Sequence, residues 1–162
     1  MSTLSYDGLV AALRAGAEGS YSAEAAVELL IAHGSWLRRS DFLRGAIEVT
    51  PAVAHTGQRH AFVDWHAGLA ADLPASSSER QILAVAAELA GVDSHRTLGD
   101  LVTGLDDTNI TLVICAVLHA RSGRGAIRLV LAPFGGADFD LRLTQRTGPW
   151  IGESLEPPGM QQ

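Results

Sequence analysis

The sequence predicts a mainly α protein: a compact, single-domain helical bundle around a central apolar helix at about 108–121, with a small C-terminal β-hairpin at about 126–132 and 139–144. Three observations carry this expectation. Leu112 to Leu118 is apolar without a break and is framed by helix-start and helix-stop residues. Several flanking segments repeat apolar residues at three- and four-residue steps, the period of a helix with one buried face. After Gly125 the texture changes to strict alternation, the period of a half-buried strand.

The helix at 108–121 opens with Asp106-Asp107-Thr108-Asn109, side chains that accept from the free N–H groups of a first turn. It closes with His119 and Arg121, which suit the negative end of the helix dipole, followed by Ser122-Gly123. With no obvious wet face, such a helix is expected in the middle of the core, with amphipathic helices laid around it.

The remaining elements follow in chain order. A first helix spans Ser5 to Ala17, with Leu9, Val10 and Leu13 on one face and Gly16 and Gly19 ending it. Ser20-Tyr21-Ser22 offers caps for a second helix from about Ala23 to Leu37, with Glu24 and Glu28 facing out and Gly34 inside it. Phe42 to Val49 reads as a short helix, although Ala46 to Thr50 alternates well enough for a strand. Residues 51–60 read as a loop and Ala61 to Leu73 as a helix with Phe62, Trp65, His66 and Leu69 on one face. Ser76 and Glu79 have the spacing of a capping box for a helix to about Ala90, with Ile82, Val85, Ala86 and Leu89 buried and Arg80, Ala84 and Glu88 wet. Thr97 and Asp100 repeat that spacing before a short helix. In the hairpin, Ile127, Leu129 and Leu131 face Phe139, Leu141 and Leu143. A lone hairpin is marginal in water, so it must pack on the helices, recruit a strand near 46–50, or pair with another copy. Residues 1–152 are expected to form the domain and 153–162, with Pro157-Pro158-Gly159, a loose tail.

Composition excludes several function classes. The formal net charge of −6 argues against a generic nucleic-acid binder. All 12 basic residues are arginine, which removes Schiff-base lysines and the phosphate-binding lysines of nucleotide sites. A single cysteine, Cys115, rules out an intramolecular disulfide and a Cys-rich zinc site. The N-terminus lacks a basic stretch followed by an apolar one, and the apolar run at 112–118 is far shorter than the ~20 residues of a membrane span. A cytoplasmic location is expected, with no membrane partner.

Candidate chemistry is sparse. His55, His60, Asp64 and His66 combine imidazole and carboxylate ligands within a short span, the raw material of a metal-dependent hydrolase. On the expected helix, however, His66 points away from Asp64, and no metalloprotease spacing occurs. Cys115 and His119 are one helical turn apart, but a mid-helix thiol among apolar neighbours is a weak nucleophile. No glycine-rich phosphate cradle or nucleophile elbow is present, and no cofactor is implied.

The clearest asymmetry is basic. Arg121, Arg124, Arg128, Arg142 and Arg146 share a span holding only Asp138 and Asp140 as acids. Arg128 and Arg142 lie opposite the apolar face of the hairpin, where they can meet an acidic partner or phosphates, although neutralising the helix C-terminus and the acidic helices of their own fold is the favoured role for these arginines. The leading expectation is a non-enzymatic protein-binding or assembly module of accessory, regulatory or immunity type. It pairs with itself as a homodimer, or with another protein, through the hairpin or a helix face, with Arg124, Arg128, Arg142, Arg146 and Leu141 as the expected partner-binding residues. Trp36, Trp65 and Trp150 are expected to be partly exposed. The alternatives are the hydrolase above and a nucleic-acid contact through the arginines.

Overall fold

The computed structural model describes residues 4–123 together with the paired positions 128–129 and 141–142. The described chain is mainly helical: α1 (Tyr6–Ala17), α2 (Tyr21–His33), α3 (Ser40–Ala46), α4 (Trp65–Ala70), α5 (Ser77–Leu89), α6 (Leu98–Val102) and α7 (Asp107–Ser122). Strands β1 (Ile47–Val49) and β2 (Ala61–Val63) form an antiparallel pair, with Ile47 opposite Val63 and Val49 opposite Ala61. No helix among the described residues is long and apolar enough to cross a membrane.

Local signals set most helix starts. Ser5, Ser20, Asp64, Ser76, Thr97 and Asp106 each accept a backbone N–H of the first turn that follows. Both expected capping boxes form: Glu79 returns a bond to the Ser76 N–H at 2.7 Å, and Asp100 to the Thr97 N–H at 3.1 Å.

The hub is α2, where Ala25 to Leu30 is buried without interruption. It packs against α1, α5 and α7. Its second neighbour α5 is similarly enclosed from Gln81 to Ala87, so Ala84 lies inside although the sequence placed it on the wet stripe. Gln81 is the polar member of that run. Its amide donates to the Asp100 carbonyl at 3.0 Å and to the Thr103 carbonyl, fastening α6 to α5.

The expected central helix is displaced from the centre. In α7 only Val113, Ala116 and His119 are buried, and these face the hub. A uniformly apolar helix carries no sequence signal for which side is covered, whereas α2 reaches the centre because its glutamates find internal partners, described below.

Three boundaries also differ. Helix α2 stops at His33 because Gly34 takes φ 76°, and its N–H caps the Leu30 carbonyl at 3.0 Å. Gly34 therefore ends the helix instead of lying inside it, and Trp36 to Arg38 forms a separate 3-10 turn. Trp36 is 2% exposed, packs tilted against the Phe42 ring with centroids 5.0 Å apart, and donates its indole N–H to the Glu79 carbonyl at 2.9 Å. It is a core anchor, not a partly exposed aromatic; Trp65 is half-buried and Trp150 lies outside the described residues.

The segment 42–49 is both helix and strand, with the change at Ala46–Ile47. Its strand pairs with Ala61–Val63, not with the C-terminal hairpin, so the expected helix over 61–73 shrinks to α4. The side chain of Asp64 makes the switch by accepting the Ala67 N–H at 2.9 Å. Strand β2 lies against α1 so closely that a Cβ on Gly16 would overlap the Ala61 carbonyl oxygen. Gly16 is thus needed inside α1 for close approach, and the turn after the helix comes at Gly19, where φ is 92°.

Of the C-terminal hairpin, Arg128 pairs with Arg142 and Leu129 with Leu141 in antiparallel register. The rest of the expected strands at 126–132 and 139–144, and the expected tail at 153–162, lie outside the described residues.

Candidate functional site

Two features set this molecule apart from a plain helical core: a polar layer between α1, α2 and α7, and an apolar outer face on α7.

The polar layer centres on the two glutamates of α2. Glu28 is 3% exposed, and the Arg14 guanidinium of α1 grips it with both prongs: Nε donates to Oε1 at 2.7 Å and Nη2 to Oε2 at 2.9 Å. The carboxylate raises the pKa of Arg14 further above its ordinary value, against the opposing effect of burial. One turn earlier, Glu24 Oε1 accepts the Gly19 N–H at 3.2 Å, while Oε2 lies 3.3 Å from His119 Nε2 of α7. The expectation that Glu24 and Glu28 face solvent is therefore corrected. Their side chains join α2 to α1 and to α7. A groove of about 490 Å³ runs above this layer, bordered by Arg14, Glu18, Tyr21 and Glu24.

The sequence carried one clue to this arrangement. Two glutamates one turn apart on an otherwise apolar helix either face water or meet partners from other helices. Nothing local distinguishes the two outcomes.

The histidine set does not converge. His55 and His66 are exposed, and His66 does not share a buried face with Leu69. Asp64 caps α4, and the His60 backbone is tied to Thr50, whose Oγ1 accepts the His60 N–H at 3.2 Å. Among the described residues no three histidine, cysteine, aspartate or glutamate side chains gather as metal ligands. Cys115 is half-buried, and desolvation pushes its thiol pKa up, away from thiolate chemistry.

For the arginines, the register brings Arg128 and Arg142 together as cross-strand partners. Leu141 is paired with Leu129, and Arg124 and Arg146 lie outside the described residues.

The outer face of α7 is the remaining feature. Ile114 is 39% and Val117 is 50% exposed. They stand three residues apart and lie on the side of the helix away from Ala116 and His119. Other large exposed apolar side chains, such as Tyr21, Val49, Phe62 and Leu98, are single residues on separate elements. The whole face reads Asp107, Ile110, Ile114, Val117, Arg121, alternating three- and four-residue steps over the length of α7. That is the spacing of a helix–helix seam, apolar in the middle and charged at its two ends.

Comparison with protein-family models, with curated proteins and with solved structures gave no match to this chain.

Proposed function

We propose that this protein is a non-enzymatic assembly module of the cytoplasm, and that the outer face of α7 is its contact surface. The observation that carries the reading is the pair Ile114 and Val117, bare on a helix whose opposite side is locked into the core. Exposed apolar residues that share one helix face, with charges only at the rim, have the anatomy of a small interface. The polar layer fits the same reading from the inside. Glu28 and Arg14 fix α1 on α2, and Glu24 and His119 fix α7 on α2, so the face is presented on a rigid support.

The test is the double change Ile114→Asp with Val117→Asp. Both residues are already at the surface, so the helical circular dichroism should persist while self-association is lost. Retained assembly in the double variant would refute this surface, and the hairpin would take its place.

A second reading is favoured by one observation, the pairing of Arg128 with Arg142. Two arginines at paired positions of one antiparallel ribbon suit an acidic partner or phosphate. On this reading, duplex binding weakens steeply with added salt and is reduced in the variant with Arg128 and Arg142 both changed to Ala.

A further inference from the structure

Resting on the reading of α7 as a contact face, we infer that its occupant is a second copy of the same helix, crossing antiparallel. Asp107 stands seven residues before Ile114 and Arg121 seven residues after it, so the seam is acidic at one end, apolar in the middle and basic at the other. Asp106, the N-cap, adds a second carboxylate at the acidic end.

A seam of this kind complements itself in one orientation only. Placed parallel, two copies set Asp107 against Asp107 and Arg121 against Arg121. Placed antiparallel about a two-fold axis near Ile114, each Arg121 meets the acidic first turn of the other copy, and Ile110, Ile114 and Val117 fill the middle. A two-fold contact uses the same patch on both copies, and this patch is its own complement. The helix dipoles act in the same sense, because each positive N-terminal end lies beside the negative C-terminal end of its neighbour. The helix spacing supports it too, since alternating three- and four-residue steps keep one stripe facing a partner helix. Nothing in the polar layer has to move: His119, Ala116 and Val113 stay on the inner side.

Charge reversal on the full-length chain tests the orientation. Asp107→Arg creates two Arg–Arg encounters in the antiparallel pair, and Arg121→Asp creates two Asp–Asp encounters. Each single variant should dissociate about tenfold more readily than the parent at low salt, as expected for a pair of exposed ion pairs turned repulsive. The double variant, Asp107→Arg with Arg121→Asp, restores opposite charges at both ends and should recover most of the parental dimer. Circular dichroism and thermal melting of all three guard against a trivial loss of fold, and Asp107→Asn provides a milder variant that keeps the Asp106 cap.

A parent dimer that none of the reversals weakens would overturn the antiparallel seam while leaving α7 assembly standing. So would a double variant no better than the singles. A parent that is monomeric throughout would overturn both this inference and the reading beneath it, and would point to another segment of the same chain lying over the face.

Discussion

Glu28 shows how much an ion-pair partner decides. On α2 it occupies a position that would cost heavily as a lone buried carboxylate, and the two-pronged grip of Arg14 makes it tolerable. The Arg14 side chain is 42% and the Glu28 side chain 4% exposed, so the pair lies between a surface bridge and a fully buried one. Arg14→Ala should therefore destabilise the fold by about 2 kcal/mol, seen as a lower urea midpoint with an unchanged slope. A midpoint within error of the parent would mean that Arg14 is dispensable to the core. A second residue-scale effect concerns His33, half-buried at the end of α2, whose pKa desolvation lowers from the ordinary 6.5. The folded state binds its proton less readily than the unfolded state, so the contribution is complete above about pH 6.5 and declines as the pH falls below it. His33→Gln should flatten the stability-against-pH curve between about pH 7 and pH 5 relative to the parent. If the two slopes coincide, His33 is not the titrating group. The carboxylate of Asp41, held near pKa 2 by the Arg39 guanidinium and the Phe42 N–H, acts in a different window. Its contribution is present above the usual carboxylate range and disappears as the pH falls toward 2.

At the scale of elements, what the sequence made legible is what is encoded locally. The Ser76–Glu79 and Thr97–Asp100 boxes and the Asp106 cap lie within a few residues of the helices they start, and all were readable. Strand β2 was not, because Ala61-Phe62-Val63 continues smoothly into an apolar spacing that also fits a helix, and what holds it extended is β1 together with α1. The inward turn of Glu24 and Glu28 was hidden for the same reason, since their partners belong to α1 and α7. The candidate surface was half legible: the apolarity of 112–118 was plain, but which side faces out depends on how α2 docks. Two changes probe these elements. Gly16→Ala inserts a methyl into the Ala61 backbone and should cost about 2 kcal/mol or more, although alanine is the better helix former. Ser76→Ala removes one side of a capping box and should cost about 1 kcal/mol. If Gly16→Ala stabilised the protein, the tight approach of β2 to α1 would be wrong.

At the scale of the whole molecule, the described residues form a helical body organised on α2 and α5, to which α7 contributes Val113, Ala116 and His119 as buried positions. Among the described residues the buried polar side chains Glu28, Gln81 and His119 each tie one helix to another, and the proposed contact surface is the outside of α7. A contact made by Ile110, Ile114, Val117 and the end charges is small, in the class of weak and reversible interfaces below about 1,200 Å². Assembly through it should accordingly depend on concentration and on salt. The most direct measurement is sedimentation velocity of the full-length chain over a dilution series spanning about 1 μM, the affinity range of such small contacts. A species of twice the 17.0 kDa chain mass is expected at the concentrated end, giving way to the monomer on dilution. A 17.0 kDa monomer at every concentration would contradict it.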